Sequence, residues 1–324
     1  MRQTILALTI LLALPFSGKS QHEFPRDTSF TVWSSWQKIK KDFPQATPVK
    51  PISNELFLSL PDQVYRVRNK RILRMDVFIP TTDPGIKRPL VMMIHGGGWR
   101  SGNKSHLVPL AQQLAVDGYV TATVEYRLSA EALYPAGMHD VKEALRFLKH
   151  NAPIYGIDTS RVAVLGCSSG AQQASLLATS GQLTKFDDPE SVYPHHSAEV
   201  QALINIDGIV DFTDPNESAK DENPLKPSAG TMWFGATYKQ APEKWIEASP
   251  IRYAGKNTPP TLYINSVLPR FHAGRDELFA ILDQYGIYHD QHTIENTPHP
   301  FWLFHPWFDE AHEHILKFLT HIFQ

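Results

Sequence analysis

The passage from Arg161 to Ala171 constrains the fold of this chain more than any other. After Arg161 it continues with Val162-Ala163-Val164-Leu165, an apolar run typical of a buried strand, and it ends in helix-forming residues. Between the two lies Gly166-Cys167-Ser168-Ser169-Gly170, with a glycine two residues before and two residues after Ser168. A sharp strand-to-helix turn needs small neighbours of this kind, and it lifts the serine to the C-terminal edge of a sheet. The passage therefore predicts a strand, a turn and a helix, with Ser168 at the turn.

Apolar runs alternate with helical patterns along most of the chain. The predicted strands are Arg71–Pro80, Leu90–Ile94, Val120–Val124, Val162–Leu165, Val200–Ile206, Thr261–Ile264 and His289–Ile294. The predicted helices are Leu107–Val116, Val141–His150, Asp276–Tyr285 and a closing helix over Phe308–Phe323. Strands that alternate with helices predict an α/β fold with a doubly wound, mostly parallel sheet.

The rest of the chain suggests three further segments. Residues 21–68 are rich in Pro and Trp with weak periodicity, and we expect them to wrap one edge of a catalytic domain that spans residues 69–324. Within that domain, residues 213–249 are too long for a simple connection, so they predict a small insertion over the active site. The alternative is that the aromatic residues Trp233, Phe234 and Trp245 only pack a helical excursion.

The first 20 residues have the pattern of a signal peptide. Met1-Arg2 gives a positive start, Ile5–Leu14 an apolar run and Ser17–Ser20 a small-residue exit. The run is shorter than the roughly 20 residues that span a bilayer, although a retained anchor is the alternative. We therefore expect cleavage near Ser20-Gln21, export to the periplasm or the medium, and no stable membrane insertion.

Charge and histidine spacing argue against several partners. With 31 Lys+Arg against 33 Asp+Glu, the chain lacks the basic excess that nucleic acid requires. His312 and His314 are two apart on a predicted helix and face different directions, while His195-His196 has no Cys or acidic cluster nearby. We expect no nucleic-acid partner, no metal site and no cofactor.

A glycine loop follows the strand Leu90–Ile94, with the sequence His95-Gly96-Gly97-Gly98-Trp99. Flexible glycines let backbone N–H groups converge on one point, where they stabilise the negative oxygen of a tetrahedral intermediate. We predict that the N–H groups of Gly97, Gly98 and Ser169 form such an oxyanion hole. A phosphate-binding loop is the alternative, but the Lys-Ser/Thr ending and the dinucleotide fingerprint are both missing.

A nucleophilic serine needs a neutral imidazole as its base. His299 follows the last predicted strand and precedes the closing helix, which is the position expected of that base, and His305 is the reserve candidate. The single cysteine, Cys167, is an alternative nucleophile next to Ser168. We expect it to pack as a small apolar residue instead.

The acid that orients the base is expected after the strand Thr261–Ile264, but the loop there carries no carboxylate. Asp276 is the first acid that follows, and it is our candidate, although the helix macrodipole also favours an acid at a helix start. Asp211 is the second candidate. A Ser-His pair without a nearby acid remains a third possibility.

Four residues are candidates for substrate binding. Arg270 and Arg275 match the carboxylate of a sugar such as a uronic acid, or they only pair with Asp276. Trp99 and Trp302 offer flat faces to sugar rings, or they are ordinary core material.

These motifs together resemble the esterase and lipase group of the α/β-hydrolase superfamily that carries a His-Gly-Gly-Gly loop, the hormone-sensitive-lipase-like group with bacterial feruloyl and acetyl esterases. Further matching residues, over roughly residues 70 to 320, are Tyr126-Arg127-Leu128, Tyr134-Pro135-Ala136, Asp140 and Tyr155–Asp158. The segment Pro269–His272 replaces the group's usual acid loop. With Thr297–Trp302, it is similar to a subgroup of exported bacterial esterases associated with plant polysaccharides.

The resemblance implies a secreted serine esterase that removes acetyl or other acyl groups from pectin or xylan fragments through an acyl-enzyme. Its partner would be a small-molecule or oligosaccharide ester. A serine peptidase on the same fold is one alternative. A catalytically inactive carbohydrate-binding relative is the other, suggested by the missing acid.

Overall fold

The computed structural model describes residues 27–83, 85–219 and 225–324. Its strands in these ranges are β1 (Thr47–Pro48), β2 (Phe57–Arg68), β3 (Arg71–Pro80), β4 (Arg88–Ile94), β5 (Val120–Val124), β6 (Ile157–Cys167), β7 (Ala202–Ile206), β8 (Thr261–Asn265), β9 (His289–Thr293) and β10 (Phe304–His305). Its α-helices are α1 (Val32–Ile39), α2 (Val108–Val116), α3 (Ala136–His150), α4 (Ala152–Tyr155), α5 (Ser169–Ser180), α6 (Pro215–Ser218), α7 (Ala229–Phe234), α8 (Pro242–Glu247), α9 (Arg275–Gln284) and α10 (Trp307–Phe323). The predicted signal peptide lies outside the described residues.

One eight-stranded sheet organises the molecule, in the order β2-β3-β5-β4-β6-β7-β8-β9. The pairs β2–β3 and β3–β5 are antiparallel, whereas every pair from β5 through β4 to β9 is parallel. The prediction of a doubly wound, mostly parallel α/β sheet is confirmed. In such a sheet the carboxyl ends of neighbouring parallel strands meet at one edge, where ligands bind.

Two apolar cores lie on the two faces of this sheet because side chains alternate along each strand. On β4, Leu90, Met92 and Ile94 belong to one core, and Val91 and Met93 belong to the other. The first core includes residues of α3 and α5, and the second includes residues of α2 and α10. The central strands are therefore covered on both faces, which explains their continuous apolar sequences.

The edge strand β2 lies within the segment that the sequence assigned to edge wrapping. The sheet begins at Phe57 rather than after residue 68. The β2–β3 register shifts between Leu60 and Gln63, where Asp62 adopts a positive φ of 54°. This irregularity breaks the period-two pattern by which a strand is recognised in a sequence.

The N-terminal segment before β2 packs against the segment that precedes α10. Strand β1 pairs with β10, and the Val49 N–H donates to the Leu303 carbonyl oxygen at 3.0 Å. The Phe43 and Trp307 rings meet edge to face, with centroids 5.4 Å apart. These contacts hold the chain immediately after His299.

The segment 213–249 contains the short helices α6, α7 and α8. Trp233, Phe234 and Trp245 are buried in one aromatic cluster. Their side chains therefore pack a helical excursion, which is the alternative that the sequence left open. The segment also reaches the cavity described below through Glu217 and Ala229. In the described parts of the chain, no helix has both the length and the apolar character needed to cross a bilayer.

Candidate active site

Ser168 lies in the turn between β6 and α5, as the sequence predicts. Its backbone is at φ 54° and ψ −122°, a conformation that is costly for a residue with a side chain. A Cβ atom at Gly170 would lie 2.1 Å from the Ile94 carbonyl oxygen, so only glycine allows α5 to start so close to β4. The Ser168 N–H donates to the Ile206 carbonyl oxygen at 2.8 Å and ties the turn to β7.

His299 reaches Ser168 from the loop between β9 and α10. Its Nε2 lies 2.9 Å from the Ser168 Oγ. The imidazole stacks on Phe271 with a centroid distance of 3.6 Å and an interplanar angle of 5°, and Trp302 meets it edge-on at 5.2 Å. The two aromatic rings fix the orientation of the base toward the serine, so the structure places His299 where the sequence predicts it.

The acid beside His299 is Asp207, which follows β7 directly. Its Oδ2 lies 2.8 Å from His299 Nδ1, and its side chain is fully buried. Ser266 donates its N–H to Oδ1 at 2.8 Å and its hydroxyl to Oδ2 at 2.6 Å, and the Asn265 amide donates to Oδ1 at 3.3 Å. A buried carboxylate needs such donors to remain charged. The three side chains form the serine, imidazole and carboxylate chain of a catalytic triad.

The candidates named from the sequence for the acid lie elsewhere. Asp276 is 76% exposed and pairs with Arg275 at 2.8 Å, and Asp211 accepts hydrogen bonds from Thr213. The prediction that Asp276, or else Asp211, contacts the base is therefore wrong. The reserve base, His305, is bound to Asp309 on the outside of α10 and does not contact Ser168.

The prediction of the acid failed because it used the wrong strand. It assumed that the carboxylate follows Thr261–Ile264, whereas Ser266 occupies that position and the acid follows β7. Asp207 stands immediately after the predicted strand Val200–Ile206, just as Ser168 stands one residue after β6. An acid at the carboxyl end of a predicted parallel strand was the available signal.

The glycine loop after β4 lies beside Ser168, as the predicted oxyanion hole requires. Gly97, Gly98 and Trp99 all have positive φ, at 128°, 61° and 58°. A Cβ atom at Gly97 would lie 2.1 Å from the Ser101 carbonyl oxygen, so the loop depends on glycine there. Gly98 and Ser169 line the same cavity as Ser168. The role of these N–H groups as oxyanion donors stays a prediction.

A cavity of about 170 Å³ opens at the triad. Its walls are formed by Gly98, Trp99, Ser168, Ser169, Asp207, Ile209, Glu217, Ala229, Arg270, Phe271 and His299. At one wall the Arg270 guanidinium binds the Glu217 carboxylate, with Nε–Oε1 at 2.5 Å and Nη2–Oε2 at 3.1 Å. The cavity is smaller than the pockets that enclose drug-sized ligands, which are about 300 to 1,000 Å³.

Comparison with known families agrees with this geometry. The sequence model of the family described as BD-FAE matches residues 75–268, which is 194 of the 324 residues. The chain belongs to the BD-FAE family. The predicted resemblance to the α/β-hydrolase esterase group is confirmed. The matched region includes Ser168, Asp207 and the glycine loop of this BD-FAE protein, whereas His299 lies beyond it.

Several relatives and solved structures of similar fold are named as esterases. Esterase LipQ of Mycobacterium tuberculosis is 28% identical over 184 residues, which cover 56% of this chain and 42% of LipQ. The chain spans less than half the length of the first curated relatives that it matches. A bifunctional GH43-CE protein of Bacteroides eggerthii has a TM-score of 0.71 at 23% identity, covering 82% of this chain and 38% of that one. The thermophilic esterase Est2 of Thermogutta terrifontis has a TM-score of 0.67 at 19% identity, covering 81% and 92%.

Of the four predicted substrate-binding residues in this BD-FAE protein, Trp99 and Arg270 line the cavity. The Trp99 indole is itself mostly enclosed, because it stacks on Trp233 at 4.8 Å and donates to the Gln172 side chain at 2.9 Å. Trp302 is buried against His299 and does not line the cavity. Arg275 binds Asn265 and Asp276, so the alternative of simple pairing describes it.

Cys167 is fully buried beside the nucleophile. Burial raises the pKa of its thiol well above the ordinary range, and the negative charge of Asp207 raises that pKa further. A buried thiol that stays protonated is a poor nucleophile. The structure thus gives Cys167 a packing role. Within the described residues of this BD-FAE protein, no group of three or more His, Cys, Asp or Glu side chains is placed to hold a metal ion.

Proposed function

We propose that this chain is a serine carboxylic-ester hydrolase. The observation that carries the proposal is the continuous chain from Ser168 Oγ through His299 to Asp207, with contacts of 2.9 and 2.8 Å, at the wall of a small cavity. The esterase names of LipQ and Est2 support the same reaction class. Asp207 also removes the reason for considering an inactive relative, because that alternative depended on a missing acid.

The geometry supports a two-step acyl transfer. Ser168 Oγ attacks the ester carbonyl carbon while His299 Nε2 takes the hydroxyl proton, and buried Asp207 stabilises the imidazolium that forms. The tetrahedral oxyanion would lie next to the N–H groups of Gly98 and Ser169, which line the cavity, and we propose the N–H of the preceding Gly97 as a third donor. Collapse of this intermediate breaks the ester C–O bond, and His299 returns the proton to the leaving alcohol. Water then attacks the acyl-enzyme by the same route and releases the carboxylic acid.

The proposed acyl group is acetyl or another short chain. Ile209 and Ala229 line the cavity with Ser168, and a Cβ atom at Gly98 would lie 3.2 Å from the Ala229 Cβ. A cavity of about 170 Å³ with these walls leaves little room for a long acyl chain. The sugar part of the proposal is supported by the sequence resemblance to polysaccharide esterases and by the carbohydrate esterase titles of similar folds. We propose acetylated plant polysaccharide fragments such as pectin or xylan.

Export of the enzyme remains a proposal that rests on the pattern of residues 1–20. It is tested by fractionating cells that express the full chain and by sequencing the N-terminus of the recovered protein. A mature N-terminus near Gln21 in the periplasm or medium supports export. Full-length protein in the cytoplasm contradicts it.

The reaction class is tested with p-nitrophenyl esters of increasing chain length. We expect turnover of p-nitrophenyl acetate that disappears in Ser168→Ala, and a steep fall in kcat/KM from acetate to octanoate. Acetate release from acetylated xylan and pectin then tests the sugar. Absence of any ester turnover in the folded protein contradicts the proposed function.

A further inference from the structure

The pairing of Arg270 with Glu217 determines the charge of the substrate site. Glu217 lies on α6 in the insertion and Arg270 lies in the loop after β8, and both line the cavity that contains Ser168. Their two contacts, at 2.5 and 3.1 Å, form a bidentate pair. Glu217 is only 5% exposed, whereas 45% of the Arg270 side chain is exposed.

The burial of Glu217 explains why this pair persists. A buried carboxylate without a cation carries a large desolvation cost, so Glu217 keeps the Arg270 guanidinium on itself. The positive charge of Arg270 is balanced at the same place by the negative charge of Glu217. Asp207 adds a second carboxylate 2.8 Å behind His299. Among the described residues that line the cavity, two carboxylates therefore face one guanidinium.

We propose that this site selects esters of neutral, hydroxyl-bearing alcohols and disfavours alcohols that carry a carboxylate, with Glu217 as the residue that sets the preference. The inference rests on the proposed ester hydrolysis and specifies its substrate class. A negatively charged alcohol would approach the carboxylates of Glu217 and Asp207, and the described cavity lining holds no lysine and no second arginine to bind it. Sugar hydroxyls can still accept from the guanidinium, because Arg has five N–H donors and the two contacts to Glu217 use only part of them.

This inference reverses one expectation from the sequence. If Arg270 and Arg275 had no carboxylate partner in the protein, they would favour a uronic acid, because guanidinium groups bind carboxylates bidentately. In the structure Arg275 is bound to Asp276 and Asn265, away from the cavity lining. Arg270 has already formed its bidentate pair with Glu217. The preferred fragment would thus be an acetylated neutral sugar, as in xylan, rather than an acetylated free uronate.

The direct test compares two substrates that differ in charge and by one methyl group. Acetylated methyl galactosiduronic acid and its methyl ester share the scaffold and the acetyl group. At low ionic strength, where charges are least screened, we expect kcat/KM for acetate release to be about five- to tenfold higher for the methyl ester. Equal rates, or faster release from the free acid, would overturn the proposal.

Variants test whether Glu217 sets the preference. In Glu217→Gln the charge of Arg270 is no longer balanced, so the ratio of methyl ester to free acid should fall to one or below. In Arg270→Gln the ratio should rise, because the described cavity lining then keeps the carboxylates of Glu217 and Asp207 and loses the guanidinium. The exposed Asp276 lies outside the cavity, so Asp276→Asn is the matched control and should leave the ratio unchanged. An unchanged ratio in folded Glu217→Gln would contradict the role of Glu217.

Turnover of p-nitrophenyl acetate separates failure of this inference from failure of the proposed function. If that ester is hydrolysed but neither sugar is, the two sugars are compared as competitive inhibitors, and the neutral one should have the lower inhibition constant. Equal constants, or no inhibition by either sugar, overturn the proposal while the esterase assignment stands. If p-nitrophenyl acetate is not hydrolysed, both fail.

Discussion

His299 Nδ1 and Asp207 Oδ2 are 2.8 Å apart, although Asp207 follows β7 and the loop after the next strand, β8, carries Ser266. Ser266 donates both its N–H and its hydroxyl to the same carboxylate. Residues after two adjacent strands therefore orient the base together. The residue after β7 supplies the carboxylate, and the residue after β8 supplies hydrogen bonds that fix this carboxylate in place.

Replacing Asp207 by Asn should nearly abolish turnover while the fold is kept. Asn at this position either donates an N–H to His299 Nδ1 and holds the imidazole in the wrong tautomer, or presents a neutral oxygen that does not stabilise the charged imidazole. In Ser-His-Asp hydrolases such a change lowers kcat by about 10⁴. The measurement is kcat for p-nitrophenyl acetate, with circular dichroism to check the fold.

Asp276→Asn and Asp211→Asn are the matched controls for that variant. Both side chains have their own partners away from His299, so turnover should stay within about twofold of the native value. A large loss in either control, together with an active Asp207→Asn variant, would contradict the placement of the acid.

Removing the Ser266 hydroxyl should weaken catalysis. Ser266→Ala leaves the backbone donor but removes the 2.6 Å bond to Oδ2, the oxygen that also faces His299. A hydrogen bond to a charged group is worth about 1.5 to 3 kcal/mol, and its loss leaves more negative charge on Oδ2. The carboxylate is then held by fewer donors and orients His299 less well, so kcat for p-nitrophenyl acetate should fall by about 10- to 100-fold. An unchanged kcat in folded Ser266→Ala would contradict this role of the hydroxyl.

Cys167 should be inert to alkylation in the native protein. Burial and the charge of Asp207 raise the pKa of the thiol, so almost no thiolate is present near neutral pH. Iodoacetamide at pH 7.5 should leave both the protein mass and the turnover unchanged, whereas the urea-unfolded chain should be alkylated once. Rapid modification of the folded protein with loss of activity would instead favour cysteine as the nucleophile.

His106 should make the fold sensitive to mild acid. Burial lowers the pKa of its imidazole from 6.5 to about 4, so the native state stays neutral where the unfolded chain takes up a proton. Stability is then fully present above pH 6.5 and falls as the pH decreases toward about 4. The loss between pH 7.5 and pH 5 should be about 2 kcal/mol.

The check is urea unfolding of the native protein and of His106→Phe at the two pH values. Phe keeps a flat ring next to Phe30 and His95, which contact the imidazole edge to face. The variant should lose about 2 kcal/mol less than the native protein on acidification. An equal loss in both proteins would show that His106 does not cause the acid sensitivity.

Local patterns predicted much of this fold because they reflect local physics. The apolar runs at Leu90–Ile94 and Val162–Leu165 mark strands buried on both faces, and the glycines around Ser168 mark a turn that only small neighbours allow. The strand β2 was not predicted, because its irregularity near Asp62 breaks the alternation of apolar and polar residues. These features are encoded within a few residues of where they act.

The acid and the cavity charge depend on contacts between distant residues. His299 is 92 residues from Asp207, and Arg270 is 53 residues from Glu217. Sequence patterns did not indicate that Ser266 would bind the carboxylate of a neighbouring strand. The family's usual position for the acid pointed to the loop after β8, and only the assembled sheet brings Asp207 to His299.

The central claim is that Ser168 carries the acyl group. Mixing the protein with p-nitrophenyl acetate, quenching in acid within the first turnovers and measuring the intact mass tests it directly. The account predicts a burst of nitrophenolate and the mass of one added acetyl group, located on the peptide that contains Ser168 and absent in Ser168→Ala. Turnover that persists in Ser168→Ala, or an acetyl group on another residue, would contradict it.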